Sequence, residues 1–366
     1  MRVLHEEHWS HIGQFPSPSD VPDIFYEETK YRGEPYLVPI VILRSNPCLW
    51  FIKGGCTMCN YMESAGGKDS IIGSDDLIRQ VNSFLIMNPS LEKFPYIMLT
   101  SAGSFLSSYE VPFETTLEIL RMLKDAGLKR LSFESEAKYC INRSKLKRMK
   151  EVFQGNISIG IGVESSNETV RNLILNKGLP WKKLEEASRA IYFEDLEYYN
   201  YLLIGKPFLS PSLEIMDSVE SIKDCLSLGA SMIVLRFTIV QPNTLIEHLY
   251  KKGLFKVPSL WLGIEVLSRL DSPMREKVSI KGFNDKEPSS IAVASSCPLC
   301  ADRLRTAFCN WNYNGDFPAL IEDAGTCSCR PQIDYMDIAK FSFEFAVGSI
   351  LREFPSLQVP VSLERN

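Results

Sequence analysis

Apolar and polar positions along this chain follow two alternating periods. Short apolar runs stand at Leu37–Leu43, Tyr96–Thr100, Arg130–Phe133, Ile157–Val163, Tyr198–Ile204 and Met232–Phe237, each of strand length. Between them lie segments of helical period: Ser74–Asn88, Pro112–Ala126, Ser144–Phe153, Trp181–Ile191 and Leu213–Leu228. In the second of these, Phe113, Leu117, Leu120 and Leu123 recur at helical spacing, with Glu114, Glu118, Arg121 and Asp125 on the other side. A helix crossing over a sheet needs that division. Strands alternating with helices predict parallel βα units. Six such units predict an α/β fold, a partial (βα)6 TIM-like barrel over residues 37–245 that is open on one side to a large substrate. Residues 1–36 are then an N-terminal extension, and 246–366 a C-terminal region with a small cysteine-rich metal-binding module.

In such barrels chemistry gathers at the C-terminal ends of strands. The first predicted strand is followed by Cys48, Cys56 and Cys59, spaced C-x7-C-x2-C. Three thiolates on one loop can hold three irons of a [4Fe–4S] cluster and leave the fourth open. An open iron can chelate the amino and carboxylate groups of S-adenosylmethionine, and reduction then releases a 5′-deoxyadenosyl radical. The competing reading is zinc, which wants four ligands. None stands close by, because the next cysteine is Cys140 and the nearest upstream histidine is His11.

Composition narrows the class without choosing the substrate. In 366 residues, 45% hydrophobic and 23% charged, a full core is expected and disorder is not. A net charge of −5 argues against a dedicated nucleic-acid binder but leaves room for a local basic face. No apolar run approaches the roughly 18 residues that cross a bilayer. The N-terminus lacks a secretory apolar segment. A cytoplasmic protein with reduced cysteines and no membrane partner is expected.

The other strand ends carry further candidates. Ser101, Gly103 and Ser104 follow the second strand, where a glycine permits close approach to a ligand and hydroxyls can bond it; a generic turn reads the same way. Glu134 and Glu164 end the third and fourth strands. Each can bind ribose hydroxyls or an amino group, or stand solvated beside a helix start. Lys206 ends the fifth strand. Arg236 lies inside the apolar sixth and needs an anion, either a ligand carboxylate or one of those glutamates. Gln241, just beyond, can read a polar substrate group.

The loop ending Gly-Gly-Cys56-Thr-Met-Cys59-Asn-Tyr resembles the radical S-adenosylmethionine superfamily. More narrowly, the chain resembles the radical enzyme of archaeosine synthase, in the branch related to the Elongator catalytic subunit. Thr100–Leu106, Val163–Asn167, Asn176–Gly178, Lys206–Ser210 and Val240–Thr244 carry that likeness, which runs from about residue 37 to 335. The resemblance implies that Met58 lies near the adenine and that the Ser101–Ser104 turn meets the methionine amino group. It implies an external one-electron reductant such as flavodoxin or ferredoxin, and tRNA or a partner subunit. Two departures stand out: Asn60 where the family has glycine, and Glu134-Ser-Glu-Ala-Lys138 where it shows Glu-Ser-Arg-Pro-Glu. Both bear on the substrate rather than the cluster.

A second set, Cys297, Cys300, Cys327 and Cys329, is spaced C-x2-C-x26-C-x-C and can close a tetrathiolate site for zinc or for an auxiliary iron–sulfur cluster. Cys309 makes a fifth candidate, whereas Cys140 and Cys225 read as buried thiols. His5, His8 and His11 share one helical face, and Arg143, Lys145, Lys147, Arg148 and Lys150 form a basic cluster. That cluster is either a wetted helix surface or a phosphate-backbone contact.

Two enzymatic readings follow. By resemblance, a lysine-bearing 7-deazaguanine in tRNA loses its lysine fragment through hydrogen abstraction. Alternatively, a small nucleoside or amino-acid derivative is the substrate, with sulfur insertion if the second site is iron–sulfur. A non-catalytic zinc scaffold is the reading from another class.

Overall fold

The computed structural model describes residues 22–31, 34–60, 71–101, 103–284 and 290–331. One sheet runs in chain order through β1 (Asp23–Tyr31), β2 (Glu34–Ile42), β3 (Ile97–Thr100), β4 (Arg130–Glu134), β5 (Asn156–Glu164), β6 (Glu197–Ile204), β7 (Ile233–Phe237) and β8 (Val278–Lys281). The first pair is antiparallel and all later pairs are parallel. Five crossover helices match the predicted segments: α1 (Ser74–Met87), α2 (Phe113–Asp125), α3 (Arg143–Phe153), α4 (Trp181–Phe193) and α5 (Pro211–Ser227). Their starts are chemically marked. Asn142 caps α3 by accepting from the Lys145 N–H, and Ser210 caps α5 with Pro211 in its first turn.

Side-chain alternation divides the sheet into two faces. Leu131, Phe133, Ile157, Ile159, Ile161, Val163, Leu202, Ile204, Leu235 and Phe237 join the main core with Leu117, Leu120 and Leu123 of α2. The intervening positions, including Ser132, Glu134, Tyr199, Tyr201 and Arg236, take the opposite face and line the inside of the curled sheet. The inner lining is therefore polar and aromatic, and it opens at the strand ends.

Two strands go beyond the predicted six. β8 is four residues of Val-Ser-Ile-Lys, in which polar residues interrupt the apolar run that marks the other parallel strands. β1 carries Glu27, Glu28 and Lys30 among its apolar positions. Helix α6 (Trp261–Ser268) precedes β8, and after that strand the chain continues into α7 (Ala301–Asn314) and α8 (Phe317–Ala324). Leu304, Phe308 and Trp311 of α7 lie in the same core as the barrel strands. The sheet and its core thus continue past residue 245. Among the described residues, no helix is long and apolar enough to cross a membrane. His5, His8 and His11 lie outside the described residues.

Candidate active site

The cysteine loop leaves β2 and makes one helical turn, Leu49–Ile52. Gly54 and Gly55 then reverse it, with φ of 128° and 58° that favour glycine. The loop is clamped by the Asn176–Gly178 segment. Trp50 Nε1 donates to the Asn176 carbonyl at 2.7 Å, and Asn176 Nδ2 returns a bond to the Gly55 carbonyl at 2.6 Å. A Cβ on Gly178, itself at φ 64°, would come within 2.5 Å of the Trp50 indole. Thr57 adds a bond to the Ile174 carbonyl at 2.8 Å.

Against this loop sits the turn after β3. A Cβ on Gly103 would fall 2.6 Å from Cys48 Cβ and 2.8 Å from Glu110 Oε2, so only glycine allows the approach. The buried Glu110 carboxyl holds the turn in place, accepting the Ser104 N–H at 2.5 Å and the Ser101 hydroxyl at 3.4 Å. Burial pushes Glu110 up to about 8, helped by Glu136 and opposed by the Ser104 N–H. Glu136 Oε1 lies 4.0 Å from Cys48 Sγ and 3.4 Å from Ser104 Oγ, and Lys138 pairs with its other oxygen at 2.8 Å.

On the far side of the loop stands Glu164, at a bulge in β5 with φ 68°. A non-glycine residue held there is strained, a state that clusters at functional sites. Its carboxylate pairs with Lys177 at 2.8 Å. Burial would lower the Lys177 ammonium, but Glu164 outweighs it and the pKa is raised. Burial drives both Cys48 and Cys56 up to about 12; nearby acids add to the shift, while Lys177 eases it at Cys56. Thiols so placed bind as thiolates only when a cation's charge is supplied. A cavity of about 220 Å³ opens beside the residues that flank the loop, lined by Glu136, Lys138, Gly162, Lys177, Gly178 and Lys183.

The structure therefore brings Cys48, Ser101, Gly103 and Ser104 together, and links Cys56 to Glu164 through Lys177. Met58 packs against two apolar clusters, one with Leu203 and Phe208 and one with Val240 and Phe255, and so joins the ends of β6 and β7. Glu134 accepts from Thr100 Oγ1 at 3.1 Å and stands beside Tyr201 on the inner wall. Gln241 stands half-exposed in the loop beyond β7, its carbonyl accepting from Thr244 at 2.8 Å. Arg236, half-buried, faces inward in register with Lys281. Lys206 is not brought to the loop. Its fully buried ammonium pairs with Glu214 at 2.5 Å and Asp217 at 3.2 Å on α5. Burial pushes that ammonium toward neutrality, and the two carboxylates outweigh it.

Sequence reasoning missed Glu110, Glu136, Asn176 and Lys177 as contributors. Glu136, Asn176 and Lys177 stood inside segments already singled out, whereas Glu110 carries no motif. The basic cluster on α3 is largely charge-matched. Arg143 meets Glu194, Lys147 Glu151, Arg148 Glu114 and Lys150 Asp195.

The three loop cysteines, none of them in a disulfide, stand in a glycine-walled niche with two acids and a lysine, a donor set that fits a cluster with one open iron. The C-terminal cysteines converge elsewhere. Cys297, Cys300, Cys327 and Cys329 have sulfurs all within 4.8 Å of one another and can bind a metal. Cys309 is exposed on α7 and is not in that group, while Cys140 and Cys225 are buried.

No known protein-family profile matches the chain. An uncharacterized protein of Methanocaldococcus jannaschii is 31% identical over 236 residues, 63% of each chain, so the match spans just under two thirds of that relative's length. Archaeosine synthase subunit beta of Methanosarcina acetivorans is 27% identical over 86% of this chain and 89% of its own. Among solved structures, queuine lyase from Clostridium spiroforme, bound to SAM and queuine, is 23% identical over 57% of this chain and 78% of its own, with a TM-score of 0.41. The three-cysteine loop thus stands at the mouth of a parallel βα sheet, in a chain that is similar along most of its length to archaeosine synthase β subunits.

Proposed function

We propose that this chain is a radical S-adenosylmethionine enzyme of the archaeosine-synthase type, acting on a lysine-modified 7-deazaguanine in tRNA. The likeness to archaeosine synthase β subunits along 86% of the chain carries the substrate reading. Cys48, Cys56 and Cys59 would hold the [4Fe–4S] cluster. With S-adenosylmethionine bound and an electron supplied by a flavodoxin- or ferredoxin-like donor, that group furnishes a hydrogen-abstracting 5′-deoxyadenosyl radical.

The chain's own residues do the positioning. Glu110 fixes the Ser101–Ser104 turn, so the turn's polar groups are presented to the methionine amino group at no reorganisation. Glu164 and Lys177 offer paired charges beside Cys56 for the ribose hydroxyls and the methionine carboxylate. Met58, Leu203 and Val240 supply an apolar slot for the adenine. Glu134, Tyr199 and Tyr201 line the chamber where a base would enter. There Tyr199 bonds the Ser132 hydroxyl at 3.0 Å and lies 3.4 Å from the Tyr201 hydroxyl. Arg236 and Gln241 face the same opening from β7 and the loop beyond it.

One observation favours a small-molecule substrate instead. The basic cluster of α3 is paired with acids, which weakens the best candidate for a phosphate contact. The test is tRNA binding against salt, anaerobically, alone and with candidate partner subunits. Binding that weakens steeply with salt supports the tRNA reading. Absence of binding in every combination, with S-adenosylmethionine still cleaved, moves the assignment to a small nucleoside or amino-acid derivative.

A further inference from the structure

We infer that Cys297, Cys300, Cys327 and Cys329 hold a single tetrahedral zinc ion, and that this ion closes the barrel by fixing α7 across the seam between β8 and β1. The inference is independent of the substrate reading.

The sulfur geometry selects one ion over a cluster, and zinc is the ion that a closed four-cysteine structural site ordinarily holds. Cys297 and Cys300 sulfurs are 3.6 Å apart, and the Cys297–Cys327 and Cys300–Cys329 pairs are each 3.4 Å apart. One ion with zinc–sulfur bonds of about 2.3 Å sets its ligand sulfurs about 3.8 Å apart. A four-iron cluster puts four irons and four sulfides between its ligands and drives them well beyond that spacing. Disulfides need sulfurs about 2.05 Å apart, and all four cysteines are free thiols. The loop cysteines form no comparable single-ion group among the described residues.

Position gives the ion its task. Cys297 and Cys300 lead directly into α7, and Cys327 and Cys329 follow α8, so one ion ties both ends of this helical pair. Helix α7 mends the open edge of the sheet. The Ile280 N–H donates to Asn312 Oδ1 at 2.8 Å, and Asn312 Nδ2 donates to the Ile280 carbonyl at 2.6 Å. One carboxamide thus stands in for the missing neighbour strand, satisfying an edge that would otherwise be open to pairing. Trp311 Nε1 bonds the Val278 carbonyl at 3.1 Å. The same helix packs against β1, and Lys281 of β8 pairs with Glu27 of β1 across the seam. Arg330, one residue past Cys329, pairs with Glu265 of α6 at 2.6 Å, tying the metal knuckle to the barrel's outer layer. Because zinc has no redox chemistry, electron relay and sulfur donation are removed from this site. Hydrogen abstraction then rests on Cys48, Cys56 and Cys59 alone.

The test uses the full chain, purified anaerobically. Zinc should be present at about one per chain and survive the Cys48/Cys56/Cys59→Ala change. Chelating it should speed hydrogen exchange in residues 278–281 by at least about tenfold, since local opening of the seam sets protection there. Asn312→Leu should speed exchange at the same strand with zinc content unchanged, which separates the seam from the metal should Cys300→Ser fail to fold. Neither readout depends on iron or on activity, so they stand even if the radical reading falls. Iron in place of zinc at the four cysteines, or exchange at β8 unmoved by both chelation and Asn312→Leu, overturns the inference.

Discussion

The two cysteine sets differ in what surrounds them more than in their spacing. The loop set sits in a niche walled by Gly103 and Gly178 and flanked by Glu136, Glu164 and Lys177, next to a cavity. The C-terminal set draws its sulfurs to within 4.8 Å of one another between two helices that belong to the core. A metal that must meet a ligand is held by an irregular loop with room in front. A metal that only has to hold is enclosed by its own ligands.

The sharpest break between the two sets is Cys48/Cys56/Cys59→Ala. It should remove about four irons per chain and all cleavage of S-adenosylmethionine while leaving the C-terminal metal in place. Metal analysis alone reads both halves. Next in size is Lys206→Met, which strands Glu214 and Asp217 in the core. A buried pair broken on one side costs about 3–5 kcal/mol, so denaturant midpoints should fall sharply. Iron per folded chain should not change, because Lys206 touches neither set. A loss of iron proportional to nothing but this lysine would bring Lys206 back to the site.

Gly103→Ala and Gly178→Ala probe the niche directly. Each new methyl meets atoms it cannot easily displace, Cys48 and Glu110 in one case and Trp50 in the other. Overpacking of this kind costs about 1–3 kcal/mol, and the visible absorbance of the reconstituted cluster should drop more than stability does. Unchanged absorbance in both variants would mean the glycine walls do not shape the cluster loop. The smallest effect belongs to α3. Lys147→Ala and Arg148→Ala should each move stability by less than about 0.5 kcal/mol, since exposed ion pairs contribute little. If they also flatten the salt dependence of tRNA binding, the helix is a phosphate contact despite its acidic neighbours.

Much of this was legible in the chain. The six apolar runs and five helical segments match strands and helices to within a few residues, because buried parallel strands and amphipathic crossovers write their periods strongly. β8 was not legible, since Val-Ser-Ile-Lys is not a continuous apolar run and its edge is completed by the Asn312 side chain, far away in sequence. At the candidate site, cysteine spacing pointed to the loop after β2, and strand-end position pointed to Glu134 and Glu164, which the structure places on the inner wall and beside Lys177. Lys206 had the same kind of position, yet its ammonium turns back to α5, a choice set by two carboxylates on the following helix. Glu110 was invisible for the opposite reason. It lies outside any motif and matters through the Ser104 N–H it accepts.

The most direct test of the central claim is 5′-deoxyadenosine release from S-adenosylmethionine by the anaerobically reduced protein, beside the triple cysteine variant. The account predicts release by the wild type and none above background by the variant. A wild type that carries iron at Cys48, Cys56 and Cys59 yet releases none, or a variant that releases as much, would contradict it.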